Sequence, residues 1–343
     1  MTDIVLPKAR ASDEELIAFA NALQAFPVPF ELSARGWGYQ LEDAGLITKA
    51  EFDYVEGIIN KCRKKGFLPI DFIAEEEGRK FTGVETAETD SPIEYMKRYL
   101  NAVLSCDEWY TPDWWAGEQY YIQMLVEKID LKTLFEPICH EYHIPIATSK
   151  GWSSMLQRGE YAKRFMKAEA RGLKCVLLYC GDHDPDGLRI SDFIRDNLND
   201  LREIVWTDGT AGYDPADLEI HRFGLDYDFI KKNKLTWIDN LITGSGKNLA
   251  SPEHKNHHMP YVQQYLKQFG IRKCEANALV VRPTEARALC RGAIEQYIGG
   301  GAIGRFKKKR ADVHKRVEAM REKTGLRAAI ADALEAIENE EAE

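Results

Sequence analysis

A short apolar run that ends in a cluster of aspartates constrains the fold of this chain most strongly. Residues 176–179 (VLLY) are apolar strand formers, Gly181 ends the run, and three aspartates follow within residues 182–186. Apolar residues then recur at roughly helical spacing through 188–194. The pattern predicts a buried strand, an acidic turn and an amphipathic helix. Open α/β sheets bind their ligands at the carboxyl ends of such strands.

Carboxylates this close together need a compensating charge or abundant water. In an extended segment Asp182 and Asp184 project to the same side, about 7 Å apart. Two like charges at about 4 Å repel by about 4 kcal/mol at an effective dielectric of about 20. Water can screen this repulsion on a solvated loop, and a divalent cation can turn it into attraction. Because the preceding strand is predicted to be buried, a metal site is favoured over a solvated acidic turn.

The residue types around the turn indicate which metal it would take. DHDPDG matches the first half of an EF-hand loop, but Phe193 stands where the bidentate Glu is required and Arg189 where an apolar residue belongs. A strand also precedes this turn, whereas a helix precedes an EF-hand loop. Oxygen ligands without a nearby Cys or His pair predict Mg²⁺ or Mn²⁺ rather than zinc.

A second strand supplies a further carboxylate. Residues 120–127 (YYIQMLVE) form an apolar run that ends in Glu127, and residues 130–142 have the spacing of an amphipathic helix. A short strand at 144–147 and a turn at Lys150 follow. Alternating strands and helices of this kind predict an α/β fold with a mostly parallel sheet.

Glu127 at the end of one strand and the DxDPxG segment at the end of a later strand resemble the toprim domain of topoisomerases, primases and some nucleases. Together with the turn TSKGWSS and the later LDYDFIKKNKL, they resemble the A subunit of DNA topoisomerase VI and its relative that makes meiotic double-strand breaks. The resemblance implies a Rossmann-like toprim domain. It further implies that Glu127 is a general acid/base close to the metal and that Asp182 and Asp184 hold Mg²⁺.

Three further residues enter the site through the same resemblance. Asp186 stands where relatives commonly carry an aromatic residue. Lys150 lies in the TSKGWSS turn. Glu275 lies in RKCEANALVV, a predicted late strand in which the family typically has an acidic residue before an Ala-Leu step.

The N-terminal region has the element order of a winged-helix domain, in which helix, turn and helix precede a strand-like wing. Helices are predicted at 12–26, 32–41 and 48–65, with FLPIDFIA extended after them. The topoisomerase family carries a nucleophilic Tyr four residues after an Arg in such a domain, and Arg35 and Tyr39 match that spacing. A tyrosine that packs its ring under a helix is the alternative.

Two glycines distinguish this segment from its relatives. Gly38 stands where relatives usually carry an aromatic residue, and Gly36 lies in the same helix. A glycine inside a helix costs about 1 kcal/mol relative to Ala.

Charge and composition narrow the class of protein. A net charge of −9 argues against a protein that coats DNA nonspecifically, but local patches determine phosphate contact. One basic cluster predicts contact with DNA, with a solvated helix face as the alternative. Its residues are Lys61, Arg63, Lys64 and Lys65.

The chain is expected to be cytoplasmic and to have no membrane partner. It has no apolar run of about 18 residues and no secretory signal pattern. Its seven cysteines are scattered without metal-binding spacing, which predicts free thiols. We expect a nucleoid-associated protein of microbial, viral or plasmid origin.

The resemblance implies a protein that breaks double-stranded DNA through a tyrosyl phosphodiester, as a homodimer, with a separate ATPase (B-type) subunit for full topoisomerase activity. The predicted regions are a winged-helix DNA-cleavage domain (1–92), a connector (93–117), a toprim domain (118–300) and a C-terminal helical segment (301–343). Two alternatives remain open. One is a toprim nuclease that hydrolyses DNA with water, and the other is a DNA-binding accessory module without catalysis.

Overall fold

A computed structural model describes residues 4–28, 30–69, 71–74, 91–149, 155–206, 208–243 and 246–341. The chain divides into two compact units, one formed by residues 1–79 and 118–298 and the other by residues 80–117 and 299–343. The predicted domain boundaries stay predictions. In the part of the chain that is described, no helix combines the length and the apolar character that crossing a membrane requires.

Helices account for most of the regular structure. Their bounds are α1 (Asp13–Gln24), α2 (Ala34–Asp43), α3 (Phe52–Lys64), α4 (Pro92–Leu104), α5 (Cys106–Trp109), α6 (Ile129–Glu141), α7 (Met155–Glu169), α8 (Ile190–Asn199), α9 (Tyr227–Asn233), α10 (Pro260–Phe269), α11 (Pro283–Ile298), α12 (Ala302–Thr324) and α13 (Leu326–Glu341).

The first unit is built on a parallel sheet. Within the described residues its strands are β1 (Tyr120–Val126), β2 (Ile146–Thr148), β3 (Lys174–Cys180) and β4 (Glu219–Gly224), in the order β2-β1-β3-β4. All three strand pairs are parallel. The predicted α/β class with a parallel sheet is therefore confirmed, and the two central strands are the buried apolar runs that predicted it.

Helices cover both faces of this sheet. α6 and α11 pack together and contact β1, whereas α7 and α8 pack together and contact β3 and β4 respectively. The chain leaves β1 through α6 towards β2 and leaves β3 through α8 towards β4, in opposite directions along the sheet. Right-handed crossovers then place α6 and α8 on opposite faces. The carboxyl ends of β1 and β3 thus form a topological switch point, where open α/β sheets bind ligands.

One predicted strand is wrong. The segment expected as a late strand around Glu275 instead forms a 3-10 helix, Ala276–Val281. Only isolated antiparallel bridges precede that helix, at Lys273 and Cys274. A short run of mostly apolar residues does not distinguish a strand from a buried helical turn by periodicity alone.

The N-terminal helices form as predicted, with small shifts at their ends. Ser12 and Glu15 make the predicted capping box of α1, because Glu15 N donates to Ser12 Oγ and Ser12 N donates to Glu15 Oε2. α2 and α3 pack together. After α3, the described residues 67–69 and 71–74 contain no strand, so they supply no wing.

A buried carboxylate joins α2 to the sheet. Asp130, in the first turn of α6, accepts hydrogen bonds from Ser33 N at 2.6 Å and from Ser33 Oγ at 2.7 Å. Ser33 is the N-cap of α2, and its Oγ accepts from Gly36 N at 3.1 Å. Burial raises the pKa of Asp130, and the hydrogen bonds from Ser33 oppose that shift. These contacts fix the start of the helix that carries Arg35 and Tyr39.

The second unit is helical in its described part. Asp107 and Arg321 form an ion pair with both side chains almost fully buried, and His314 also hydrogen-bonds Asp107. Trp114 packs on Phe306 with ring centroids 4.6 Å apart. The predicted C-terminal helical segment is divided into α12 and α13 by Gly325, which adopts a left-handed conformation at φ 65°.

Removing the Ser33 hydroxyl tests the joint between α2 and α6. Ser33→Ala leaves one oxygen of the buried Asp130 carboxylate without its donor, in addition to losing a helix cap. We expect a loss of about 2 kcal/mol in the free energy of unfolding. Ser12→Ala is the matched control, because it removes an exposed N-cap alone and should cost about 1 kcal/mol. Urea denaturation measures both. Equal losses would show that the Asp130 contact adds nothing.

Candidate functional site

The structure brings two of the predicted acidic residues together at the switch point. Val126 of β1 and Cys180 of β3 are register partners, so Glu127 and Gly181 leave the sheet at the same level. Glu127 N donates to Cys180 O at 2.9 Å, and Asp182 N donates to Glu127 Oε2 at 2.7 Å. Parallel pairing therefore determines that the Glu127 carboxylate meets the backbone of the acidic turn.

A lysine that sequence reasoning did not single out lies between these carboxylates. Lys128 Nζ is 2.6 Å from Glu127 Oε1 and 3.1 Å from Asp182 Oδ2. Burial lowers the pKa of this ammonium group, but Asp182 and Glu127 outweigh burial and hold the pKa of Lys128 above its ordinary value. The sequence contained one signal for this role of Lys128, because a residue that directly follows a strand-end carboxylate must lie close to that carboxylate.

The two carboxylates respond differently to this environment. Burial and the charge of Glu127 hold the pKa of Asp182 well above its ordinary value. Burial also opposes ionisation of Glu127, but Lys128 and the Asp182 backbone N–H outweigh it and hold the pKa of Glu127 below its ordinary value. Negative charge at the site therefore resides first on Glu127.

The other two aspartates of the motif bind other groups, one within the turn and one in α10. Asp184 Oδ1 accepts from Gly187 N at 2.6 Å, and Asp186 Oδ1 accepts from Tyr261 OH at 2.9 Å. Among the described residues, no group of three His, Cys, Asp or Glu side chains is arranged to hold a metal ion. Asp184 thus does not join Glu127 and Asp182 in this structure. The turn follows a strand and not a helix, which is the context expected to exclude an EF-hand.

Donor chemistry at the strand ends nevertheless fits a hard divalent cation. Glu127 and Asp182 already share one cation, the Lys128 ammonium, and carboxylate oxygens are the ligands that Mg²⁺ prefers. These two residues are the ones that would hold it.

A partly buried arginine fixes the backbone of the acidic turn. Arg222, in β4, donates to Gly187 O at 3.0 Å, to Asp182 O at 3.1 Å and to Leu225 O at 2.7 Å. Burial lowers the pKa of Arg222. The planar guanidinium group can donate to three carbonyls in fixed directions, which the ammonium group of a lysine could not do as well. Sequence reasoning missed this residue because its partners are backbone atoms of a distant loop.

Glu275 and Ala276 connect the acidic turn to Tyr39. Ala276 N donates to Asp182 Oδ1 at 2.7 Å, and Glu275 Oε2 accepts from Tyr39 OH at 2.6 Å. The mutual hydrogen bonds between His183 and Cys274, at 2.8 and 3.1 Å, position this segment beside the turn. Tyr39 therefore lies next to the carboxylates of its own chain.

The Tyr39 hydroxyl is buried and has two charged neighbours. The side chain is 1% exposed, and besides its bond to Glu275 it accepts from Lys49 Nζ at 3.0 Å. Burial, the charge of Glu275 and the hydrogen bond to Glu275 all raise the pKa of the Tyr39 phenol far above its ordinary value. Arg35 Nη2 lies 3.6 Å from Glu275 Oε2. The phenol is therefore protonated in this arrangement, with a carboxylate placed to accept its proton.

Close packing explains the two glycines of α2. A Cβ at Gly38 would lie 2.9 Å from the Phe52 ring, and a Cβ at Gly36 would lie 2.9 Å from Asp130 Oδ1. The same Phe52 ring meets Tyr39 edge-on, with centroids 4.9 Å apart. The glycines weaken α2 as an isolated helix but let it approach α3 and α6.

A cavity of about 480 Å³ opens beside the paired carboxylates. Asn277 is buried there, and its Oδ1 has no hydrogen-bond partner within the described part of the chain. The cavity is lined by Ser33, Arg35, Glu127, Lys128, Ile129, Asp130, Thr148, Ser149 and Asn277. Cationic, hydroxyl and amide groups thus share this space with Glu127.

The remaining predicted residues lie elsewhere. Lys61, Arg63 and Lys64 form the last turn of α3. Arg63 bonds Asn60 in its own helix, and Lys65 pairs with Asp13 of α1. These contacts place the basic cluster against the N-terminal helices. Lys150 falls outside the described residues.

Comparison of the chain with protein-family models, curated proteins and solved structures found no match.

A methyl group at Gly187 tests the geometry of the acidic turn. A Cβ there would lie 2.2 Å from Asp182 O, a backbone atom that Arg222 holds in place. We expect Gly187→Ala to lower the free energy of unfolding by about 1–3 kcal/mol. Gly57→Ala is the matched control, because this helical glycine has open space at its Cβ and should gain about 0.5–1 kcal/mol. Chemical denaturation compares the two, and a neutral Gly187→Ala would contradict the tight turn.

Proposed function

We propose that this protein breaks double-stranded DNA in a Mg²⁺-dependent transesterification, with Tyr39 as nucleophile, in the manner of the topoisomerase VI A subunit. In this proposal residues 118–300 are a toprim domain and the N-terminal helices are the helical part of a winged-helix domain. One observation carries it. Consecutive residues, Glu275 and Ala276, hold the Tyr39 hydroxyl and the Asp182 carboxylate, so the nucleophile and the acidic site share one support.

The chemistry assigns a task to each group. The Tyr39 phenol passes its proton to Glu275, and its oxygen attacks phosphorus. The bond from phosphorus to the departing sugar oxygen breaks, and that oxygen takes a proton from water. Arg35 holds the phosphate through its fork of donors. Mg²⁺, bound by Glu127 and Asp182, would neutralise the charge that develops on the phosphate. Reversal of the same step reseals the strand, since the tyrosyl ester stores the broken bond.

Burial of Tyr39 sets a condition on this proposal. A side chain that is 1% exposed cannot reach a DNA phosphate unless α2 moves away from residues 275–281. We propose that DNA binding drives this movement and that Tyr39 leaves its proton on Glu275 as the hydrogen bond between them breaks. The same proposal includes a homodimer that acts on double-stranded DNA and a separate ATPase subunit. It also assigns phosphate contacts to the basic residues 61–65.

The same burial favours a second candidate function. Glu127 lines an open cavity, whereas the Tyr39 phenol is enclosed. A nuclease that activates water at Glu127 and Asp182 would need no movement of α2. Hydrolysis would leave free 5′-phosphate ends and no protein attached to DNA.

Plasmid cleavage separates these functions. Supercoiled plasmid is incubated with the protein and Mg²⁺ or Mn²⁺, and then quenched with detergent with and without protease. We expect DNA covalently attached to protein, and none with Tyr39→Phe, because that variant lacks the attacking oxygen. Tyr54→Phe is the matched control, since it removes another hydroxyl that bonds within the N-terminal helices, to Pro7 O at 2.7 Å.

Other outcomes would assign the protein differently. Free 5′-phosphate ends that persist with Tyr39→Phe would replace transesterification by hydrolysis. Intact plasmid that still binds the protein would leave a DNA-binding module without catalysis.

A further inference from the structure

The Lys128 ammonium lies between the two carboxylates, where a positive charge offsets their mutual repulsion. It contacts Glu127 Oε1 at 2.6 Å and Asp182 Oδ2 at 3.1 Å, and the Lys128 side chain is about one third exposed, at 29%. Asp182 and Glu127 make further bonds to the backbone N–H groups of Ala276 and Asp182, which hold them in place. The carboxylates are therefore fixed, and the ammonium is the mobile partner on a flexible four-carbon stem.

The same lysine lines the cavity of about 480 Å³ beside the site. Arg35 lines this cavity as well, and its side chain is 42% exposed. Ser149 adds a hydroxyl group, whereas the Ser33 hydroxyl already donates to Asp130. A lysine that left the carboxylates would thus enter a space that already contains a guanidinium group. Two cations with a hydroxyl donor form a suitable environment for a phosphodiester.

We propose that Lys128 is an internal counter-ion that Mg²⁺ displaces, and that the displaced ammonium joins Arg35 in binding a DNA phosphate in the adjoining cavity. This inference rests on the metal site of the proposed function and adds a regulation of it. Without Mg²⁺, the Lys128 ammonium neutralises the two carboxylates and is therefore not available to bind DNA. With Mg²⁺ the same ammonium becomes available.

Displacement of Lys128 by Mg²⁺ couples the binding of Mg²⁺ to the binding of phosphate. Mg²⁺ and the ammonium compete for the same oxygens, so the lysine weakens metal binding. A phosphate that holds the ammonium in the cavity removes this competition. Linkage then requires that Mg²⁺ strengthen phosphate binding by the same factor by which phosphate strengthens Mg²⁺ binding.

Removing the ammonium tests the competition. Lys128→Met keeps much of the apolar stem and removes the charge. Isothermal titration with Mg²⁺ should show binding about tenfold tighter than in the unmodified protein. Lys167→Met is the matched control, because Lys167 is an exposed lysine at the end of α7 and should leave Mg²⁺ affinity unchanged. Equal or weaker Mg²⁺ binding by Lys128→Met would overturn the inference.

A second measurement tests the release of Lys128 towards phosphate. Binding of a fluorescent DNA duplex is followed by anisotropy in the Tyr39→Phe background, so that no strand is cleaved by the tyrosine. Mg²⁺ should strengthen duplex binding about tenfold, and Lys128→Met should abolish most of this gain without weakening binding in the absence of metal. An undiminished Mg²⁺-dependent gain in Lys128→Met would overturn the proposed coupling.

Failure of the inference and failure of the metal site give different results. Glu127→Gln combined with Asp182→Asn should abolish Mg²⁺ binding. If Mg²⁺ binds neither to the unmodified protein nor to Lys128→Met, the metal site and the proposed function both fail. If Mg²⁺ binds through Glu127 and Asp182 but Lys128→Met has no effect, only the counter-ion role is lost.

Discussion

The pairing of two carboxylates by one ammonium group is the interaction on which the rest of the site depends. β1 and β3 run parallel in register, so their ends present Glu127 and the turn that starts at Gly181 side by side. Two ionised carboxylates this close would repel each other strongly without a counter-charge. Lys128 supplies that charge from the residue next to Glu127. The sheet thereby tolerates an acidic cluster at the place where its topology opens a crevice.

Distant segments then assemble around this pair through backbone groups. Arg222 holds three carbonyls of and around the acidic turn, and Ala276 N binds the Asp182 carboxylate. The residue before Ala276 binds the Tyr39 hydroxyl. Asp182 is thus linked to α2 by two hydrogen bonds whose partners, Ala276 and Glu275, are consecutive residues.

The N-terminal helix shows how packing can outweigh propensity. Gly36 and Gly38 reduce the intrinsic stability of α2, yet the helix spans Ala34–Asp43. At both glycines, side chains from α3 and α6 pack into the space that a larger residue would need, and this packing holds the helix in place. Ser33 and Asp130 fix its first turn. The same closeness buries Tyr39, so the features that hold the helix in place also restrict access to its phenol.

The amino-acid sequence by itself determined the α/β class, the two central strands and the placement of Glu127 and Asp182 at strand ends, because apolar runs and breaker residues act locally. Only the tertiary structure decided that Lys128 lies between them, that Asp184 caps its own turn, and that Glu275 starts a 3-10 helix and binds Tyr39. These outcomes depend on which segments are neighbours in space. Glu275 lies 236 residues from Tyr39, a separation at which no local pattern constrains a hydrogen bond.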